Sequence, residues 1–383
     1  MMQNIPPPIE PGRDKALPVD NNAQNLQKIL QSQQIIRQAK AKPITFSDPV
    51  LWQKENPVIY PKTINVIQGK AGVHKSRLAE TICASLLKLP NTHTDLLDFH
   101  TDKFKHYAVV YVDTERNLSD QLPYALQQIQ LKAGYRIEDH PDNFDYISLL
   151  EFGREERFEM LNVYLEYIRK RFNHHVFIVL DVITDCIFNF NDTKDSMKLI
   201  DMLNQSINHY NVTFLCLIHE NPGSTDKARG HLGTEILNKA STVLQIGFER
   251  DADNSPMDLL KVVFLKCRSS KKHDPFYVQY SDKTKGLVIS DPETVQQALS
   301  KKNHKGDLET TLDLLALHLE KPMPRRELID ILMAELNCKE RLIENRLKQI
   351  VSTPIQITNY EGRKYWLTKK PEGKEIIYFL VDS

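Results

Sequence analysis

Ile64-Asn-Val-Ile-Gln-Gly69-Lys-Ala-Gly-Val-His-Lys75-Ser76 changes character twice in a short span. It begins as an apolar-rich run of strand length and passes through a glycine-bearing turn. From Lys75 to Lys88 it then places Leu78, Ile82 and Leu86 at i, i+4, i+8, one face of a helix stopped by Pro90. Strand, tight turn and helix follow without a break. The same alternation recurs outward. Strands are expected over Tyr107–Asp113, Val176–Asp181, Val212–His219, Thr242–Phe248 and Leu259–Lys266, with helices over 155–172 and 195–210 between them. Most strand residues are apolar, as strands covered on both faces must be. Residues 45–295 are therefore expected to form one α/β domain, a largely parallel sheet with flanking helices.

A turn of backbone N–H groups ahead of a helix N-terminus is a cradle for phosphate oxygens. Gly69, Lys75 and Ser76 stand where the phosphate-loop pattern G-x-x-x-x-G-K-[ST] requires them, and His74 stands in place of its second glycine. On this reading Gly69, Lys70, Ala71, Gly72, Val73, His74, Lys75, Ser76 and Arg77 surround a nucleotide's phosphates. Lys75 would add charge at the β and γ oxygens, and the Ser76 hydroxyl would bind Mg²⁺. His74 is expected to adopt ordinary helix-entry backbone with its ring turned away. The competing reading is an accidental strand–turn–helix. Glu115 follows one strand and Asp181 ends another. Because the C-terminal ends of parallel strands share one edge, both carboxylates are expected beside the loop.

The ordered set Gly69 to Ser76, Val112-Asp-Thr-Glu115, Phe177-Ile-Val-Leu-Asp181, Leu215-Cys-Leu-Ile-His219, Ala228-Arg-Gly-His-Leu-Gly233 and Lys266-Cys-Arg268 resembles the RecA-like P-loop ATPase core. Within it, the set is similar to the plasmid-replication helicases of the RepA kind, over residues 45 to 290. The resemblance implies ATP and Mg²⁺ as cofactors, with Asp181 holding the metal through water and Glu115 acting as the base that orients the attacking water. His219 would be a γ-phosphate sensor, although a strand-end histidine bonded to backbone is the plainer alternative. Lys266 and Arg268 would reach into a neighbour's site. That arrangement implies a homo-oligomer, a hexameric ring being one form. Lys227 and Arg229, in a polar segment after His219, would follow the phosphates of single-stranded DNA unless the segment is only a solvated loop. The implied activity is that of a helicase or loader serving a plasmid or mobile element. The alternatives are a DNA-binding or regulatory protein that no longer hydrolyses ATP, and a nucleotide-gated scaffold without DNA.

The flanks read differently. Residues 1–22 suit a disordered leader. Residues 23–44 suit a helical arm in which Leu26, Ile29, Leu30 and Ile36 are too few to stand alone. A linker is expected over 296–306, a winged-helix domain over 307–370 and a tail over 371–383. The winged helix rests on three helix candidates, Leu308–His318, Arg325–Leu336 and Lys339–Val351, and a hairpin turning at Glu361-Gly362. In the third helix Leu342, Ile343, Leu347 and Ile350 are expected to face inward. Lys339, Arg341, Arg346 and Lys348 would be free for DNA, and Arg363 and Lys364 would sit in the wing. Residues 301–374 hold 15 Lys and Arg against 11 Asp and Glu, compatible with a nucleic-acid surface that is local rather than global.

Over all 383 residues, 50 basic side chains balance 50 acidic ones, which excludes a whole-molecule electrostatic glove for nucleic acid or membrane. The 41% hydrophobic content suits a chain that can bury a core. The five cysteines include no CxxC, and the histidines form no HExxH, so neither a disulfide framework nor a zinc site is expected. With no long apolar run and no secretion signal, a cytoplasmic location away from membranes is expected.

Overall fold

The computed structural model describes residues 21–221, 227–251, 255–303, 307–336, 338–353, 355–359, 361–373 and 375–382. The expected leader falls outside the described residues up to residue 20, as do 222–226 of the polar segment and 304–306 of the expected linker. The chain divides into two compact units, residues 1–47 and 48–383. In the first, α1 (Asn21–Lys40) buries none of its residues, and Leu26, Ile29, Leu30 and Ile36 are all exposed. It is a helix without a packed face.

The second unit opens with β1 (Leu51–Gln53) and β2 (Asn56–Ile59), then β3 (Ile64–Gly69), α2 (Lys75–Leu87), β4 (Phe99–His100), β5 (Tyr107–Asp113), α3 (Gln121–Ala133) and β6 (Phe144–Ser148). It continues with α4 (Arg154–Arg171), β7 (His175–Asp181), a 3₁₀ turn over Ile183–Cys186, α5 (Thr193–Tyr210), β8 (Val212–His219), α6 (Gly230–Lys239) and β9 (Thr242–Arg250). β10 (Pro256–Cys267), β11 (Phe276–Ser281), β12 (Gly286–Ile289) and α7 (Pro292–Asn303) complete the α/β part. Nine strands form one mixed sheet in the order β12-β11-β10-β9-β3-β8-β7-β5-β6. From β9 to β6 every pairing is parallel, and β10, β11 and β12 extend the sheet antiparallel.

Period-two alternation explains the layering, because successive side chains of a strand leave opposite faces. Along β7, Phe177 and Val179 join Tyr111, Leu215 and Leu217 against Leu78 and Ile82 of α2 and Leu126 and Ile129 of α3. Val176, Ile178 and Leu180 join Val110, Phe214 and Cys216 against Leu161 and Leu165 of α4, Leu199 and Leu203 of α5, and Ile236 of α6. A sheet covered on both faces leaves only its strand ends open to solvent. Among the described residues no helix is long and apolar enough to cross a membrane.

The C-terminal part contains α8 (Leu308–His318), β13 (Met323–Pro324), α9 (Arg325–Leu336), α10 (Glu340–Ser352), β14 (Gln356–Thr358), β15 (Lys364–Glu372) and β16 (Glu375–Asp382). The strands make an antiparallel sheet ordered β13-β16-β15-β14. Leu315, Leu328, Leu332, Ile343, Leu347, Ile350, Ile357, Leu367 and Tyr378 form its core. Three expectations are corrected here. Of the expected tail over 371–383, residues 375–382 form a strand: Ile377 and Tyr378 bury as β16 pairs with β15 from Glu372↔Glu375 to Tyr365↔Asp382. The linker is helical through Asn303, because α7 runs into it. Leu342 is 36% exposed, leaving Ile343, Leu347 and Ile350 as the buried stripe of α10.

That stripe predicts a contrast between neighbouring residues. Ile343→Ala should destabilise the C-terminal part by about 2–5 kcal/mol, the range for emptying a core aliphatic position. Leu342→Ala should cost within about 0.5 kcal/mol, as for a surface change. Denaturant midpoints of the two variants check this.

Candidate functional site

The parallel strand ends set the site. Gly69 of β3 lies opposite His219 of β8, and Asp113 of β5 lies opposite Asp181 of β7. Four of the residues singled out by sequence, Lys75, Glu115, Asp181 and His219, come together there. Gly69 is required for close approach, since a Cβ would overlap the Ile246 carbonyl oxygen and stand 2.8 Å from Val73 Cγ2. Gly72 is required for conformation, with φ of 77° in otherwise open space.

His74 departs from expectation. Its backbone is left-handed, with φ 62° and ψ 29°, rather than the right-handed helix entry expected of it. It is the residue just ahead of α2, and its carbonyl accepts the N–H of Leu78 at 3.1 Å. The second glycine of the phosphate-loop pattern would meet this conformation freely, whereas an L side chain there costs roughly 1–2 kcal/mol. Packing offsets the cost. The imidazole stacks on Tyr280 of β11 with ring centroids 5.2 Å apart, and meets Phe248 of β9 edge-on at 6.0 Å. Burial, then the charge of Arg77, lowers its pKa, so the stacked ring is neutral at neutral pH.

Lys75 is only 6% exposed, and its ammonium has three partners. It donates to the carbonyls of Gly69 at 3.1 Å and Lys70 at 2.8 Å, and approaches His219 Nδ1 at 3.1 Å. Because an ammonium only donates, Nδ1 must accept, which puts the His219 proton on Nε2. That nitrogen faces Glu115 Oε1 at 3.8 Å. Burial lowers the Lys75 pKa, against the opposing charges of Asp181, Glu115 and Glu220. His219 holds the Glu115 carboxyl below its ordinary range, ionised as a base needs to be.

Asp181 is buried, and its Oδ2 accepts from the Tyr111 hydroxyl at 2.7 Å and from Arg116 Nη2 at 2.6 Å. Arg116 also reaches Asp113 Oδ2 at 2.7 Å through Nε and Glu80 Oε1 at 3.0 Å through Nη1. Asp113 Oδ1 accepts the backbone N–H groups of Glu115 and Arg116 at 3.0 and 2.7 Å. Burial raises the pKa of Glu80 and of Asp113, opposed in both by Arg116. Sequence reasoning passed over Glu80, Asp113 and Arg116. The signal was the charged run Asp113-Thr-Glu-Arg116 directly after an apolar strand.

The donor set fits Mg²⁺. Ser76, half-buried in the first turn of α2, offers a hydroxyl and Asp181 a carboxylate. These are hard oxygen donors for a cation that completes its shell with phosphate and water. Among the described residues no group of three or more His, Cys, Asp or Glu could hold a metal by itself.

The remaining candidates lie elsewhere. Lys266 Nζ donates to the carbonyls of Leu237 and Asn238 at 2.7 and 3.0 Å, and Arg268 Nη2 donates to Asn238 at 2.9 Å. Both thus satisfy the open C-terminal end of α6 within the same chain. Lys227 and Arg229 are exposed, with the Arg229 guanidinium 5.1 Å from the centre of the Phe190 ring. The Arg229 N–H donates to the His219 carbonyl at 2.7 Å, and the Glu220 N–H to the Gly69 carbonyl at 3.1 Å. The described base of the polar segment is therefore tied to the end of β3. On the C-terminal part Lys339, Arg341 and Lys348 are exposed, and Arg346 bonds Gln349 Oε1 at 3.0 Å. Arg363 pairs with Glu361 at 3.3 Å, and Lys364 is exposed at the start of β15.

No protein-family model matches the sequence, and no curated protein matches it. Among solved structures the chain is similar to the RadB recombinase, with a TM-score of 0.41 and 16% identity over 60% of this chain and 92% of that one. It is also similar to a KaiC-like protein of the hyperthermophilic archaeon Pyrococcus horikoshii OT3, with a TM-score of 0.45 and 14% identity over 65% of this chain and 100% of that one. Likeness of this degree carries no chemistry; the residues themselves must do so.

The stacked histidine makes its own prediction. In a double-mutant cycle, His74→Gly and Tyr280→Ala should couple by about 0.5–1.5 kcal/mol, the range for an aromatic pair. Tyr280→Ala alone should lower the melting temperature, while His74→Gly alone should change stability within about 1 kcal/mol because relieved backbone strain offsets the lost stack. Zero coupling would mean that Tyr280 does not hold the loop.

Proposed function

We propose that the chain binds ATP with Mg²⁺ and hydrolyses it, as a RecA-like P-loop ATPase. The observation that carries this reading is the continuous line from Lys75 through His219 to Glu115 at the mouth of the phosphate loop. When nucleotide arrives, Lys75 would exchange the Gly69 and Lys70 carbonyls for phosphate oxygens, and backbone N–H groups of the turn ahead of α2 would donate to the same group. Bound Mg²⁺ would supply charge neutralisation at the phosphates, held by Ser76 and Asp181. Glu115, kept ionised, takes the proton of an attacking water. His219 would sense the γ-phosphate through its contact with Lys75, its ring faces Glu115, and its carbonyl accepts the N–H of Arg229.

The substrate acted on is proposed to be DNA, in a helicase or loader role for a plasmid or mobile element of the RepA kind. Support comes from the exposed Lys227 and Arg229, from Phe190 beside Arg229, and from a C-terminal part whose helices and strands follow the order of a winged helix. A homo-oligomer would let Arg268 and Lys266 serve a neighbour's site, after release from the end of α6. Two features favour a second reading, nucleotide binding without turnover: a histidine side chain in place of the loop's second glycine, and an Asp181 already engaged by Arg116 and Tyr111.

Phosphate release separates the two. The motor reading expects wild-type release that single-stranded DNA stimulates, and Glu115→Gln that still binds ATP but turns over at least about a hundredfold slower, within the range for general-base loss. Release at background level in a wild type that binds ATP would move the assignment to the binding-only reading. Turnover of Glu115→Gln within about twofold of wild type would place the base elsewhere.

A further inference from the structure

Arg116 is the most heavily used side chain in the site, and the nucleotide chemistry outlined above gives it no task. Its guanidinium spans three buried carboxylates on three elements: Glu80 of α2, Asp113 of β5 and Asp181 of β7. A fourth contact joins Nη2 to the Tyr111 hydroxyl at 2.7 Å, and the guanidinium carbon lies 5.2 Å from the centre of that ring. Three acids this deep repel one another unless a cation stands between them, and Arg77 neutralises only the far oxygen of Glu80, at 2.8 Å.

We propose that Arg116 is a positioning residue that serves as a built-in cation. It organises the acidic floor of the site before metal arrives, competes with Mg²⁺ for Asp181, and fixes Glu115 through Asp113. The geometry supports each part. Asp181 Oδ2 already receives two hydrogen bonds, one of them from Arg116, so a metal or its water would meet a carboxylate whose charge is partly neutralised. The next residue back along the chain is the proposed base. Asp113, aligned by Arg116 Nε, grips the backbone N–H of Glu115 and of Arg116 and so sets where the Glu115 side chain leaves the turn. Lysine cannot replace this arrangement, because one ammonium lacks the planar fork that reaches three carboxylates at once.

The inference rests on the ATP·Mg²⁺ reading of the site, and its test keeps the two apart. Binding of a fluorescent ATP analogue is titrated with Mg²⁺ in wild type, in Arg116→Lys, and in the double variant Arg116→Gln with Glu80→Gln, which removes one charge of each sign and so protects folding. Released from Arg116, Asp181 should accept metal more readily, so the half-saturating Mg²⁺ should fall by about threefold or more in both variants. Analogue binding without Mg²⁺ should stay within about twofold, and turnover should fall by about tenfold or more as Glu115 loses its hold. A structural residue alone would lower the melting temperature without moving the Mg²⁺ dependence. An unchanged Mg²⁺ midpoint in a variant that melts within a few degrees of wild type overturns the proposal. If the double variant does not fold, Arg116→Lys decides by the same criterion. A wild type that binds no analogue removes the ATP reading and this inference with it.

Discussion

A buried ammonium must find acceptors for its three protons, and around Lys75 that requirement organises the site. Two acceptors are carbonyls of its own loop, which closes over the lysine, and the third is His219 on the neighbouring strand. The lysine can reach them because β3 and β8 run parallel in a register that sets Gly69 against His219. That register in turn depends on both faces of the sheet being filled, by α2 and α3 on one side and by α4, α5 and α6 on the other. Core, register, lysine and histidine are thus links of one chain of cause.

Charge in the site is distributed along two lines that meet at Glu115. One runs from Lys75 through His219 at the open mouth. The other runs beneath it from Glu80 through Arg116 to Asp181 and Asp113. The upper line runs from buried Lys75 out to half-exposed Glu115 and is suited to exchange partners with a ligand. The lower line is buried, where breaking one partner of an ion pair costs several kcal/mol, so it is suited to hold position.

Legibility in the sequence followed the range of the interactions. The strand, loop and helix over 64–88 could be read because glycine placement and helical spacing are local, and the apolar strands because burial on both faces shows in composition. The conformation of His74 could not, since what supports it is contributed by Phe248 and Tyr280 from distant strands. The partners of Arg116 likewise lie on three separate elements, and no spacing rule joins them. Residues 375–382 read as a tail in sequence because the burial of Ile377 and Tyr378 comes with their pairing to β15 and with the packing of the helices, not from any local pattern. α1, expected to need a partner, buries nothing within its own unit.

Nucleotide binding at this site requires that Lys75 change partners, from the carbonyls of Gly69 and Lys70 to phosphate. Isothermal titration of the full chain with ATP in Mg²⁺ measures this directly, with Lys75→Ala as the comparison. A saturable site of one ATP per chain, weakened at least about a hundredfold in Lys75→Ala, corresponds to losing roughly 2.7 kcal/mol of charge-assisted contact and is the predicted result. Equal affinity in the two proteins, or no binding in either, would contradict it.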